Sequence, residues 1–240
     1  MGQIRLYIPT RLEVGQQISL EEKQSHYLLH VMKLTMGDTI NCFDNQSGEY
    51  CCEICKIGKK QVEIKVLSQS KPFSSALDIW LLFAPVKKDN TDFIIQKATE
   101  LGVRKIVPVI TKHTISERVK VERFVMQAIE ASEQCRRTDI PEISEPVKFD
   151  DIITNWDVSR KLYYMDETLN GIKVAQAFQT AKEPCAIIVG PEGGFSEKEL
   201  QTLNQKDFAI GVSLGARILR AETAVVASLS CWQALSGDWK

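Results

Sequence analysis

The chain has no apolar run approaching the roughly 20 residues needed to cross a bilayer, so no membrane-spanning helix is expected. Its first residues, Met1-Gly2-Gln3-Ile4-Arg5, lack the charged and apolar regions of a signal peptide, and a cytoplasmic location is expected. Seven cysteines make an odd number, and their spacing suggests no disulfide framework. Cys42, Cys51, Cys52 and Cys55 lie close together, but in a strand Cys51 and Cys55 face one side and Cys52 the other. Zinc ligands must converge, so reduced, partly buried thiols are expected and no metal. A Gly-x-Gly-x-x-Gly fingerprint is missing too. Gly190-Pro191-Glu192-Gly193-Gly194 has different spacing and comes far too late for a first βα turn, which argues against a dinucleotide oxidoreductase. Net charge is only −1, so any polyanion partner must be met by local clusters.

What is present is an ordinary globular composition: 240 residues, 44% hydrophobic and 25% charged, enough for one large domain or slightly more. The first 70 residues are rich in strand formers. Ile4–Ile8, Thr39–Phe43, Tyr50–Ile57 and Gln61–Leu67 read as short antiparallel strands, with Val62, Ile64 and Val66 alternating as on a half-buried strand. Asn45–Gly48 and Gly58–Lys60 supply turns. A helix is predicted between the early strands, opened by Ser19 with Glu22 in a capping box and continuing through Tyr27, Leu28 and Val31. His26 and His30 share a face of it, with Lys33 just beyond; with no third ligand nearby, a metal is not expected there. Short strands with one helix predict a small barrel.

The polar stretch Ser68–Ser75 reads as a linker. Beyond it, apolar strands alternate with helices. Leu77–Ala84, Ile106–Ile110 and Leu162–Met165 are strand-like, and Thr91–Leu101, about Val119–Arg136 and Val174–Phe178 are helix-like. Repeated βα units predict a doubly wound α/β sheet with a buried parallel interior. Lys97 and Glu100 sit one turn apart as an intrahelical pair. The last helix, from Glu222 to about Leu235, is apolar nearly all round and must be buried, in its own domain or partly against a second copy.

The chain is organised around two turns in its final quarter. Gly190-Pro191-Glu192-Gly193-Gly194-Phe195 follows the apolar run Cys185–Val189, and Leu214-Gly215-Ala216-Arg217-Ile218-Leu219-Arg220-Ala221-Glu222-Thr223-Ala224 follows Phe208–Val212. Turns at the carboxyl ends of parallel strands bind ligands in open α/β sheets. The paired glycines allow positive φ and close approach to bare backbone, while Ser196 and Glu199 form a capping box for the next helix. These turns, in this order, together with Phe93–Val103 and Glu133-Gln134-Cys135-Arg136-Arg137, resemble the ribosomal RNA small-subunit methyltransferase E family over essentially the whole chain.

The resemblance implies a SPOUT-type knotted parallel sheet with helices on both faces over residues 71–240, with a trefoil knot near residues 185–240. It makes residues 1–70 a PUA-like, RNA-binding β-barrel. It implies methylation of N3 of a uridine in 16S ribosomal RNA, with S-adenosyl-L-methionine as cofactor, on naked rRNA or the assembled small subunit, by a homodimer. Cofactor contacts would come from Gly190, Pro191, Glu192, Gly193 and Gly194, and from Leu214, Gly215, Ile218, Leu219, Thr223 and Ala224. Uracil N3 carries a proton at neutral pH, so Arg220 is the candidate for stabilising the developing anion; Glu222 would accept the proton or fix Arg220. His26, Lys33, Lys87, Lys88, Arg136 and Arg137 are the candidates for RNA. Lys87 to Arg137 holds eleven Lys/Arg against seven Asp/Glu, a local balance of +4 that includes Arg118 and Lys120. Two positions depart from the family wording. Lys33 stands where arginine is frequent, losing the planar fork, and Lys87-Lys88-Asp89 lacks the usual central glycine. A tRNA or ribose 2′-O SPOUT enzyme and a non-catalytic RNA-binding assembly factor are the alternative readings.

Overall fold

The computed structural model describes residues 4–115 and 119–239; Met1, Gly2, Gln3 and Arg118, used above, lie outside the described residues. The chain divides into two compact units, Met1–Ser75 with Ser132–Ile140, and Ala76–Ala131 with Pro141–Lys240.

The first unit is built on β1 (Arg5–Tyr7), β2 (Gln17–Ser19), α1 (Glu22–His26), β3 (Thr39–Phe43), β4 (Gly48–Ile57) and β5 (Val62–Pro72). The strands form one mixed sheet in the order β1-β3-β4-β5-β2. Its edges β1 and β2 are not paired with each other among the described residues, so the small barrel-like unit is built from one mixed sheet. It is not wholly antiparallel: β1 pairs with β3 in parallel, which the long excursion through β2 and α1 permits. Val62, Ile64 and Val66 point into the core with Leu6, Leu28, Ile40 and Ile54, as their alternation predicted. Cys42 and Cys52 are buried there as small hydrophobes, and all seven cysteines are free.

Two local expectations are corrected. Ser19 does not cap the first helix, because it is held in β2 opposite Glu63. Glu21 caps it instead, in a reciprocal box with Gln24. The helix runs on as a π-helical turn over Tyr27–Val31 and stops near Lys33, whose φ is +56°. The second correction concerns the linker: β5 continues through Ser68–Pro72, paired with Gly48–Cys51. A ten-residue β4 offers backbone partners there, and ladder pairing overrides polar composition.

The second unit contains β6 (Ile79–Phe83), α2 (Lys88–Glu100), β7 (Lys105–Ile110), α3 (Val121–Cys135, whose last turn belongs to the first unit) and the two-residue strands β8 (Glu142–Ile143) and β9 (Val147–Lys148). Then follow α4 (Phe149–Thr154), β10 (Lys161–Met165), β11 (Ile172–Lys173), α5 (Val174–Gln179), β12 (Cys185–Val189), α6 (Glu197–Asn204), β13 (Ala209–Ser213) and α7 (Ala221–Leu235). The strands run in the order β11-β13-β10-β12-β6-β7-β8, with β9 also on β7. Every pairing is parallel.

Side chains alternate across this sheet and helices cover both faces. On one face Leu82, Val107, Leu162, Tyr164, Ala186 and Ile188 pack with Phe149 and Ile153 of α4 and Leu203 of α6. On the other, Phe83 meets Phe124 of α3, and Tyr163 meets Phe178 of α5 edge-on at 5.3 Å. α7 lies on that second face, against α2, α5 and β12. It buries Val225, Leu229 and Trp232 but leaves Val226, Ala227 and Cys231 only partly covered. Among the described residues no helix is long and apolar enough to cross a membrane.

Candidate functional site

In the sheet, β10 lies between β12 and β13. The loops leaving the carboxyl ends of these three strands therefore emerge together, with the loop after β6 next in line. They enclose a cavity of about 610 Å³, within the range of sites that take a small molecule.

The loop after β12 supplies one wall through Gly190, Pro191, Glu192, Gly193 and Gly194. It closes as a turn, with the Gly194 N–H donating to the Pro191 carbonyl at 2.9 Å. Three outside groups set its shape. His113 Nδ1 lies 3.1 Å from the carbonyl oxygens of both Gly193 and Gly194. Glu167 accepts from the Phe195 N–H at 2.9 Å. The buried Glu199 closes the predicted capping box with Ser196 and also accepts from the Lys112 N–H at 2.9 Å. Gly194 has φ +69°, and a Cβ on it would overlap the Glu167 carboxylate. The positive φ favours glycine, and any larger residue would also have to push the Glu167 carboxylate aside.

The loop after β13 supplies the opposite wall through Leu214, Arg217, Ile218, Leu219 and Arg220. Gly215 turns it at φ +107° with open space around the position of a Cβ. Ile218 is 78% exposed, an apolar side chain held at the cavity mouth rather than in the core. Arg220 is also exposed and is the residue before α7, whose Ala221 and Ala224 complete that wall. Met165, Val189 and Val212 line the cavity where the strands end.

The third contributor is the loop after β10, which brings Asp166, Glu167 and Leu169. Sequence reasoning missed all three, along with Arg217. The available signal was the acidic pair Asp166-Glu167 directly behind a predicted strand. Burial lifts the Glu167 carboxyl above its ordinary value; the Phe195 N–H opposes this, Asp166 adds to it and His113 works against it.

The other candidates are dispersed. Lys87 lines the cavity, whereas Lys88, Gly215, Glu222 and Thr223 do not. Glu222 forms no ion pair with Arg220; its Oε2 is buried with no hydrogen-bond partner among the described residues. In the first unit, His26 and His30 are exposed with ring centroids 4.8 Å apart, and Lys33 is exposed beside them. Arg136 is exposed, at φ +64°, just past the end of α3. Arg137, expected beside it at the RNA, pairs with Asp139 at 2.8 Å, and its side chain is 10% exposed. Lys97 and Glu100 form the expected pair at 2.8 Å.

Comparison with known proteins bears on both units. A family profile described as "RNA methyltransferase domain" matches residues 73–233, and one described as "RNA methyltransferase PUA domain" matches residues 20–67. Ribosomal RNA small subunit methyltransferase E of Rickettsia conorii is 31% identical over 230 residues, covering 94% of this chain and 93% of the relative. Its counterpart from Buchnera aphidicola subsp. Schizaphis graminum is 33% identical over 249 residues, covering 98% and 97%. The crystal structure of a ribosomal RNA small subunit methyltransferase E from Neisseria gonorrhoeae, bound to S-adenosyl methionine, superposes with a TM-score of 0.89 at 27% identity, with full coverage of both chains.

Proposed function

Because this chain belongs to the ribosomal RNA small subunit methyltransferase E family, we propose that it methylates N3 of a uridine in 16S ribosomal RNA, using S-adenosyl-L-methionine. The carrying observation is the cavity at the ends of β12, β10 and β13: glycine backbone on one wall, apolar side chains on the other, a half-buried carboxylate between them and a guanidinium beside them. These features suit the cofactor's parts. Gly190, Pro191, Gly193 and Gly194 offer backbone to its amino-acid end, and Glu167 or Glu192 faces the ammonium. Leu214, Ile218 and Leu219 wall the adenine, with Gly215 setting their loop and Ala224 below; Thr223 lies just outside the cavity.

The cofactor supplies an already activated methyl group on a sulfonium, so the chain has to align the acceptor, exclude water and manage one proton. Arg220 spreads the negative charge that develops over O2, N3 and O4 as N3 loses its proton. The orphaned Oε2 of Glu222, two residues on, is the acceptor proposed for that proton.

The same reading assigns residues 1–70 to RNA binding, through His26 and Lys33, and residues 71–240 to catalysis, with the trefoil knot in 185–240. Lys87 and Arg136 contact RNA phosphate, and Arg137 positions the segment that carries Arg136. The partly bare stripe Val226, Ala227 and Cys231 of α7 is the homodimer face. The partner is 16S rRNA or the assembled small subunit, in the cytoplasm. Mapping N3-methyluridine in rRNA from cells with and without the gene tests the activity. Methylation found only on ribose, or no change in rRNA, sinks it. Sedimentation at micromolar concentration tests the dimer.

A further inference from the structure

Beside the first cavity lies a second, of about 440 Å³, whose walls are rich in cations that the chemistry above leaves unused. Lys87 lines the first and Lys88 the second, so consecutive residues of the loop after β6 serve the two. Lys88 opens α2, and Lys120 immediately precedes α3; with Arg123 they give three cations to a single lining carboxylate, Asp92. Asp92 is already ion-paired with Arg123. Among the described residues, the side chains of Lys88 and Lys120 have no ion pair, and both residues are exposed. Asp89 and Glu122, the acids nearest in sequence, are exposed and do not line the cavity. Its inner wall is apolar, with Val86 3% and Phe124 5% exposed.

We infer that this second cavity holds the nucleotide next to the methylated one. Its backbone phosphate lies among Lys88, Lys120 and Arg123, and its sugar or base lies against Val86 and Phe124. The inference rests on the first cavity being the methyl-transfer site. The volume is larger than a bare phosphate requires and falls in the range of sites that enclose a small organic group. Cationic rim and apolar wall together match a nucleotide unit, anionic at one end and flat and apolar at the other. A target base reaches its pocket only when unstacked from its neighbours, so a neighbouring nucleotide must be held as well. Consecutive residues of one loop, Lys87 and Lys88, line the reaction cavity and the grip respectively.

The test uses the full-length protein, an unmodified 16S rRNA fragment containing the target uridine, and the variants Lys88→Ala, Lys120→Ala and the double variant, with Lys120→Arg as a charge-preserving control. The double variant should bind the fragment about tenfold more weakly, with the slope of log affinity against log salt shallower by about 0.7 for each lysine. The KM for RNA should rise by about the same factor with kcat kept within about twofold. Calorimetric affinity for S-adenosyl-L-methionine should not change, and Lys120→Arg should restore the slope. A double variant with wild-type slope and KM overturns the inference. So does a double variant whose affinity for S-adenosyl-L-methionine falls, which would place the two lysines at the cofactor instead. If wild-type protein neither binds S-adenosyl-L-methionine nor methylates the fragment, the fault lies in the functional reading instead, and the two failures are distinguishable.

Discussion

The Glu167 carboxylate accepts a 2.9 Å hydrogen bond from the backbone N–H of Phe195, tying the loop after β10 to the glycine turn after β12. Burial raises the Glu167 pKa, despite this bond. An acid whose pKa is raised on folding contributes stability that is present below its unfolded value and lost as pH rises through its folded value. Ionising this half-buried carboxyl therefore costs stability, a cost that a bound ammonium would offset. Glu167→Gln keeps an oxygen for Phe195 and removes the charge. It should be at least as stable as wild type at pH 8, with that advantage shrinking toward pH 4. Its affinity for S-adenosyl-L-methionine should fall about tenfold, the scale of one charge-assisted hydrogen bond. Thermal unfolding at the two pH values and calorimetry read both effects; unaltered cofactor affinity removes Glu167 from the ammonium site.

Gly194 and Gly215 both have positive φ, but for separable reasons. At Gly215 there is open space for a Cβ, so Gly215→Ala should cost only the backbone penalty, about 1–2 kcal/mol. At Gly194 a Cβ would also displace the Glu167 carboxylate. Gly194→Ala should therefore be the more destabilising of the two in urea titrations, and should weaken cofactor binding as Glu167→Gln does. Equal losses at both positions would show that Glu167 moves aside freely.

Which features were legible follows from the range of the interactions that make them. Cys185–Val189 and the turn behind it could be read because a buried parallel strand is apolar throughout, and the Ser196–Glu199 box because it closes within one turn. The place of β10 between β12 and β13 could not be read, since sheet order is decided by packing between distant segments. Asp166 and Glu167 were missed for that reason. Ser68–Pro72 looked like a linker because its strand character comes from β4 and not from its own side chains. α4 and the two-residue strands β8 and β9 are too short to carry a period. The engagement of Arg137 is different: its partner Asp139 lies two residues away and was available to inspection.

Arg220 is exposed beside the cavity, and no ion pair among the described residues holds it. A cation used only as charge develops should affect turnover and not cofactor binding. Arg220→Ala should lower single-turnover methylation by about 10²–10³-fold, the loss typical of a removed oxyanion donor. The dissociation constant for S-adenosyl-L-methionine should stay within about twofold, and Arg220→Lys should recover part of the rate. Wild-type turnover in Arg220→Ala would move the anion-stabilising role elsewhere, with Arg217 the next cation lining the cavity.

In the first unit the largest single-site loss of stability is expected at Arg5. Its Nε lies 2.5 Å from Glu49 Oε2, and its remaining donors reach the carbonyl oxygens of Ser132 at 2.7 Å, Glu133 at 2.9 Å and Arg137 at 3.0 Å. The side chain is 4% exposed, and its guanidinium carbon sits 4.6 Å from the Phe43 ring centroid. One side chain thus joins β1 to β4 and to the segment that ends α3. Arg5→Met leaves the Glu49 carboxylate buried with Asn41 and Ser70 as its side-chain donors among the described residues. It should cost about 3–5 kcal/mol, the usual consequence of stranding one member of a buried pair. Arg5→Met with Glu49→Gln should cost less than the single change, because no uncompensated charge remains. Urea denaturation of the four proteins in that cycle decides it. A double variant no more stable than Arg5→Met would show that the carbonyl contacts, and not the ion pair, hold the segment.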